Sequence, residues 1–270
     1  MSEIDKAFTG SIAEVYETYF VPLIFAPYAR DLAPRVAAAA PRRVLEVAAG
    51  TGVVTRALRA QLPASVEIVA TDLNQAMLDV AAKTVTGGRV EWRRADATAL
   101  PFGDESFDAV VCQFGVMFLP DKAKAFAELR RVLRPSGMLH FNVWDRIADN
   151  EFTDVATDAL AAMFPDDPPR FMARTPHSYH DVAAIARDVR AGGFEKAAKI
   201  ETVTKRSRAP TARDAALAIC AGSPLRSEIE ARAPGRLEDA VQATAAAIAR
   251  RFGAGPVDGK IQAHVVAVAR

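Results

Sequence analysis

The chain has little of what marks a secreted, metal-held or nucleic-acid-binding protein. It carries only two cysteines in 270 residues, Cys112 and Cys220. That count leaves no disulfide framework or Cys-rich metal cluster and fits a reducing, cytoplasmic setting. Neither sign of charge dominates, with 34 Lys and Arg against 33 Asp and Glu and a net charge of +1. A general nucleic-acid or anionic-membrane surface is therefore not expected, and the expected partner is a small molecule. No apolar run approaches the roughly 18 residues a membrane helix needs, so no stable membrane insertion is expected. The opening "MSEIDKAF" has neither the basic nor the apolar region of a secretory signal. Nothing in the composition addresses the oligomeric state.

Half of the residues are apolar, enough for a sizeable core, and their spacing carries the fold. Between residues 43 and 145, strand-like and helix-like segments alternate, which argues for a doubly wound parallel α/β sheet. Strands are expected near 43–48, 66–71, 89–94, 107–113 and 137–144. Helices are expected at 52–61, 74–84 and 121–133, the last stopped by Pro135 and Gly137. Upstream, residues 10–39 look helical but interrupted by Pro22, Pro27 and Pro34, and they carry Tyr16, Tyr19, Phe20, Phe25 and Tyr28. The chain is read as a helical leader or lid over 1–40 and one domain over 41–270 with helical insertions near 146–180 and 211–252. Within and beyond those insertions come a helix near 150–163, a helix near 179–191, a strand near 194–205, alanine-rich helix over 211–252 and a closing strand near 259–269.

The stretch "RVLEVAAGTGVVTRAL", residues 43–58, sets an apolar strand, a tight turn and a helix in succession. Glycines at such a junction let the backbone approach a ligand, and the helix start offers unpaired N–H groups to polar ligand atoms. Asp72 ends the second strand, 20 residues beyond Gly52, where an acid accepts both ribose hydroxyls of a bound nucleoside. Up to this point a nicotinamide-dependent oxidoreductase fits equally well. Gly50-Thr51-Gly52-Val53-Val54-Thr55 has no third glycine, however, and such an enzyme has no use for the acid at the end of the third strand, Asp96.

The segments "VLEVAAGTG", "ATDLNQAML", "ADATALPFGDESFDAVVCQFGVMFLPD" and "AELRRVLRPSGMLHF", in this order, resemble the class I S-adenosylmethionine-dependent methyltransferases. The resemblance is to the broad group that includes the ubiquinone- and menaquinone-biosynthesis enzymes, and it covers about residues 43–144. It implies a Rossmann-like, seven-stranded, mostly parallel sheet of order 3-2-1-4-5-7-6 with a reversed final hairpin and helical cover insertions. It also implies S-adenosylmethionine as cofactor and methyl transfer to a small apolar or aromatic acceptor by in-line displacement. Glu46, Gly50 and Gly52 would then lie in the loop beneath the methionine part, Asp72 at the ribose, and Leu73 and Met77 on the adenine. Asp96 would accept the adenine amino group with the Ala97 N–H beside it, and Gln113 with Phe114 would line the floor between cofactor and acceptor. Ala48 stands where the family's loop has its first glycine, a costly replacement if that position needs a positive φ.

Several of these residues also have plain structural readings. Glu46 sits inside an apolar strand, where an unpaired charge is expensive, so loop N–H groups or a buried base are expected to partner it. Met77 and Phe114 lie on apolar faces and could be core. The acids of "FGDESFDAV" read as a solvated turn rather than a metal site, and "LRRVLR" as a basic helix face. An aromatic neighbour suits a cationic methyl donor, with Tyr16, Phe25, Phe114 and Trp144 as candidates; Tyr16 could instead bond the cofactor's carboxylate. A general base is needed only if the acceptor must lose a proton. His140 and His264 fall in strands and read as core or sheet residues, which leaves His177 as the candidate base. No N/D-P-P-Y/F follows the fourth strand, where "QFGVMF" stands, and Cys112 follows Val111 rather than proline; both features disfavour nucleic-acid methylation. The rival reading is a protein that binds S-adenosylmethionine or S-adenosylhomocysteine without transferring methyl.

Overall fold

The computed structural model describes residues 11–270, so the reading of "MSEIDKAF" lies outside the described residues. Contacts divide the described residues into two units, one holding residues 28–144, 179–203 and 263–270, the other residues 11–27, 145–178 and 204–262.

The first unit is built on the sheet. β1 (Arg43–Val47), β2 (Glu67–Asp72), β3 (Arg89–Arg94), β4 (Phe107–Gln113), β5 (Leu133–Trp144), β6 (Lys199–Ala209) and β7 (Val257–Ala269) take the order β3-β2-β1-β4-β5-β7-β6. β1 pairs in parallel with β2 and β4, β2 with β3 and β4 with β5, whereas β7 runs antiparallel to β5. The expected seven-stranded, mostly parallel architecture is the observed one. Val44 to Val47 are all buried, as a parallel strand covered on both faces requires. α2 (Ala26–Ala37) sets Ala29, Leu32, Ala33 and Val36 into one cluster with Val44, Ile68, Val111 and Val265. α3 (Val53–Gln61) adds Val54 and Leu58; truncating such a leucine typically costs ~2–5 kcal/mol. α4 (Gln75–Thr84), α5 (Lys122–Val132) and α8 (Val182–Ala191) complete the unit. The Asp121 and Asp181 carboxylates cap the last two by accepting backbone N–H bonds.

Three expectations are corrected. β5 begins at Leu133, not 137, because Leu133 pairs with Phe107 before the register shifts and resumes at Met138 opposite Ala109. Pro135 and Gly137 therefore sit in a bulge inside the strand and do not stop the preceding helix, which ends at Val132. β6 begins at Lys199 because Gly193, at φ 90°, turns the chain so that the Phe194 N–H bonds back to the Val189 carbonyl and its ring is buried against the helix end. The leader prolines do not interrupt it: helix continues from Ser11 to Ala37 through a π-helical stretch, Tyr16–Phe25, that carries Pro22. With acceptors five residues back, as in the Ala26 N–H bond to Val21, the missing N–H of proline is accommodated.

The second unit contains α1 (Ser11–Val15), the π-helical stretch, α6 (Glu151–Met163), α7 (Phe171–Arg174), α9 (Ala212–Ala221), α10 (Leu225–Arg232) and α11 (Leu237–Phe252). The alanine-rich region is thus three helices. Ala215, Ala216, Ala218 and Cys220 of α9 are fully buried, and the Cys220 thiol lies 3.4 Å from the Thr244 hydroxyl of α11. Small side chains permit this close helix approach.

Candidate active site

The loop from β1 to α3 alternates left-handed residues: Ala48 at φ 56°, Gly50 at 55° and Gly52 at 83°. Ala48 therefore does occupy the position that favours glycine, at a cost of about 1–2 kcal/mol. Gly52 is required twice over, by its φ and by packing, since a Cβ there would meet Val85, Ala81 and Trp92 at 3.0–3.2 Å. Its role in holding α3 against α4 and β3 is additional to the loop role implied by the resemblance. The loop is tied down by the Ala49 N–H to the Thr71 carbonyl, the Gly50 N–H to Asp72 Oδ2, and the Arg56 guanidinium to the Thr51 carbonyl and Thr84 hydroxyl, all at 2.8–2.9 Å. The Thr51 hydroxyl is buried within it and has no protein partner among the described residues.

Asp72 accepts from the Gly50 N–H through one oxygen, and from the Asn74 N–H through the other at 2.8 Å. These two bonds fix its carboxylate plane, and burial pushes the carboxyl upward against the backbone N–H bonds that hold it down. The next residue, Leu73, is 45% exposed, the larger exposure of the two big apolar side chains left open among the described residues; Met77, by contrast, is buried in α4. Asp96 is exposed, and its Oδ1 accepts both the N–H and the hydroxyl of Thr98 at 2.8 Å, an Asx turn with Ala97 buried inside it.

Glu46 is 2% exposed, and besides a backbone N–H bond from Thr55 and the charge of Arg56, which help to hold its carboxyl down, its partner is a hydroxyl. The Thr55 hydroxyl of α3 donates to its Oε2 at 2.5 Å. A neutral donor does not offset desolvation, and the Glu46 carboxyl is pushed up to about 8.

At the ends of β4 and β5 the structure assembles an aromatic floor. Phe114, at φ 52°, stacks on Trp144 with centroids 3.7 Å apart and planes 4° from parallel. Tyr28 meets both edge-on, at 5.3 and 5.4 Å, and its hydroxyl donates to the Val203 carbonyl at 2.7 Å. Gln113 is nearly buried beside Asn142. Gly115 brings this end of β4 against the glycine loop, where its Cβ direction points at the Ala48 methyl. Glu46, Ala48, Gly50, Asp72, Gln113 and Phe114 thus fall in one connected region. Asn142 and Gly115 were not singled out from the sequence, and Tyr28 stood out only as one of the leader aromatics. Asn142, a polar residue in the apolar run "LHFNVW", carried the same signal as Glu46.

Tyr16 and Phe25 belong to the helical unit, where their rings lie 5.0 Å apart and Phe20 packs edge-on to both. His177 is buried in that unit with Nδ1 2.8 Å from the Asp145 carbonyl oxygen. A carbonyl only accepts, so Nδ1 carries the proton and Nε2 the lone pair. His140 is buried in β5 with neither ring nitrogen partnered among the described residues, and burial, helped by Arg35, pushes it down to about 4. His264 meets the Thr202 hydroxyl. The acids of "FGDESFDAV" are engaged by arginines: Asp104 with Arg131, Glu105 with Arg270, Asp108 with Arg134. Arg131 and Arg134 come from the "LRRVLR" segment.

Sheet order and loop together define a class I methyltransferase fold. Residues 45–141 match the family described as "Methyltransferase domain". A demethylmenaquinone methyltransferase of Clavibacter sepedonicus is 44% identical over 105 residues, which are 38% of this chain and 42% of that protein. The ubiquinone/menaquinone biosynthesis C-methyltransferase UbiE of Hahella chejuensis is 40% identical over 100 residues, 36% of this chain and 40% of that protein. The matches therefore span less than half the length of these curated relatives. Among solved structures, phosphoethanolamine N-methyltransferase 2 of Haemonchus contortus in complex with S-adenosyl-L-methionine is similar in fold, with TM-score 0.61 and 17% identity, covering 99% of this chain and 60% of that one. The YcgJ protein of Bacillus subtilis has TM-score 0.55 at 17% identity, covering 90% of this chain and 98% of that one.

Proposed function

We propose that this chain is an S-adenosylmethionine-dependent methyltransferase acting on a small apolar or aromatic acceptor. The observation that carries the proposal is the fixed Asp72 carboxylate, bonded to the Gly50 N–H, in the same connected region as the Phe114–Trp144 stack. The residues present fit the cofactor. Asp72 would accept the ribose hydroxyls, Leu73 already exposes an apolar face for the adenine with Asp96 and Ala97 at its edge, and the orphan Thr51 hydroxyl awaits a polar partner. Glu46, Ala48, Gly50 and Gly52 shape the loop for the methionine part. Bound there, the cofactor supplies a methyl group already activated on a sulfonium.

The protein's own contribution is alignment and exclusion of water. Well-oriented intramolecular reactions show that positioning alone is worth ~7–11 kcal/mol. The stacked rings exclude water and present π faces, which favour a cationic neighbour by ~0.5–2 kcal/mol. Where the acceptor must lose a proton a general base is required, and His177 is its candidate. The relatives named as a demethylmenaquinone methyltransferase and a ubiquinone/menaquinone biosynthesis C-methyltransferase make demethylmenaquinone, in its quinol form, the first acceptor to assay. The test is transfer of labelled methyl to that quinol and to a panel of phenols and amines. Turnover on an aromatic acceptor supports the proposal. Tight S-adenosylhomocysteine binding with no turnover on any of them would leave a binding protein in its place.

A further inference from the structure

Phe114 is held in the left-handed region, at φ 52°, although it has a bulky side chain. Something must over-determine that conformation. Its N–H is held twice by the same residue, by the Asn142 main-chain carbonyl at 3.1 Å and by Asn142 Oδ1 at 3.0 Å. Asn142 is fully buried, and Gln113, its register partner on β4, has its Oε1 3.5 Å from Asn142 Nδ2. Leucine, with the same branching and number of side-chain heavy atoms, would match the apolar run on either side in polarity, so the amide at this position costs desolvation that only its hydrogen bonds offset. The bond it makes lies just past the last β4 residue, where the ladder ends and the chain turns toward the loop. What it secures is the direction of the Phe114 ring, and through it the stack on Trp144 and the edge contacts from Tyr28.

We propose that Asn142 is a positioning residue of the site, whose side-chain amide locks Phe114 left-handed so that the Phe114–Trp144 stack is presented as the floor of the methyl-donor site; this rests on the methyltransferase reading above. Asn142 need not touch the cofactor or the acceptor. Its contribution passes through Phe114, so it should vanish when Phe114 is replaced by glycine, a residue that takes a positive φ without help.

The experiment uses the full chain with Trp92→Phe as background, which leaves Trp144 as the sole tryptophan of the two present. Asn142→Leu removes the acceptor and Asn142→Asp keeps an oxygen there; Asn142→Ala stands in if the leucine variant is not recovered folded. Trp144 emission, its acrylamide quenching and the Kd for S-adenosylhomocysteine are measured for each, and again in Phe114→Gly. The expected result is red-shifted, more quenchable Trp144 emission and at least tenfold weaker S-adenosylhomocysteine binding for Asn142→Leu. Asn142→Asp should stay within threefold of the parent, and Asn142→Leu should have no further effect on binding in Phe114→Gly. Unchanged emission in Asn142→Leu, or an equal loss of affinity in both backgrounds, would overturn the proposal, since a merely structural asparagine acts regardless of Phe114. If the parent protein itself fails to bind S-adenosylhomocysteine, the cofactor reading falls, and the emission measurements alone decide whether Asn142 sets the stack.

Discussion

Ala48 and Gly115 are in direct contact across the site: a Cβ built on Gly115 would stand 2.5 Å from the Cβ of Ala48 and 2.7 Å from the Cys112 sulfur. The left-handed Ala48 is accommodated because the residue facing it has no side chain. The two positions form one packing unit, and the β4 end cannot approach the loop unless Gly115 stays small.

Gly115→Ala is accordingly expected to destabilise the protein by about 1–3 kcal/mol through overpacking. Ala48→Gly alone relieves a left-handed alanine at some cost in unfolded-chain entropy, with a net gain of up to about 1 kcal/mol. Combining them should recover only part of the Gly115→Ala loss, because the Cys112 contact remains. Urea unfolding of the four proteins gives the coupling energy. Strict additivity would show that the contact is not formed.

Asp72→Ala should abolish cofactor binding while leaving the fold in place. In the parent protein, S-adenosylhomocysteine at 100 times its Kd should stabilise by about 2.7 kcal/mol, read as a rise in Tm, with NADH giving no rise. A ligand-induced rise that survives in Asp72→Ala would refute the ribose assignment.

Glu46 titrates at about 8 in the folded protein, above the roughly 4.3 of an unfolded glutamate. The folded state then binds more protons than the unfolded state between these values, so the contribution of Glu46 to stability falls as pH rises from about 4.5 to about 8. Glu46→Gln keeps an oxygen for the Thr55 hydroxyl and removes the titration. It should flatten the decline across that window, by an amount on the order of a few kcal/mol at pH 8. Denaturation midpoints at pH 5, 6.5 and 8 check this, and a slope unchanged by the substitution would contradict it. Asp72, also raised by burial, adds a slope of the same sign in both proteins.

His140 acts in the opposite direction. Its folded value of about 4 lies below the roughly 6.5 of an unfolded histidine. The unfolded state binds the extra proton first, and stability is lost as pH falls from about 6.5 to about 4. A buried imidazole with neither nitrogen partnered among the described residues has no polar bond there to lose, so His140→Leu should fold. That variant should be more acid-resistant than the parent, with a gain approaching roughly 3 kcal/mol near pH 4. Equal acid midpoints for both proteins would show that His140 is not the group that titrates.

By itself the sequence determined the order of strands and helices, the glycine turn, the acid that ends β2 and the acid just past β3. Those features are written in local periodicity: Val44, Leu45 and Val47 read as a buried strand, and Val54 and Leu58 as the inward face of a helix, wherever else the chain goes. The sequence also showed that Glu46 needed a partner, because a charge inside an apolar strand does not stand alone. It could not say that the partner is Thr55, since any nearby hydroxyl, amide or base would satisfy the same requirement. Only the tertiary structure decided the strand bulge at Pro135 and Gly137, the π-helical path through Pro22, the double hold of Asn142 on Phe114, and the contact that makes Ala48 and Gly115 one unit. Each depends on which backbone atoms of distant segments come within hydrogen-bond or van der Waals reach, and that is set by how the elements pack, not by the pattern of polar and apolar residues along any one of them.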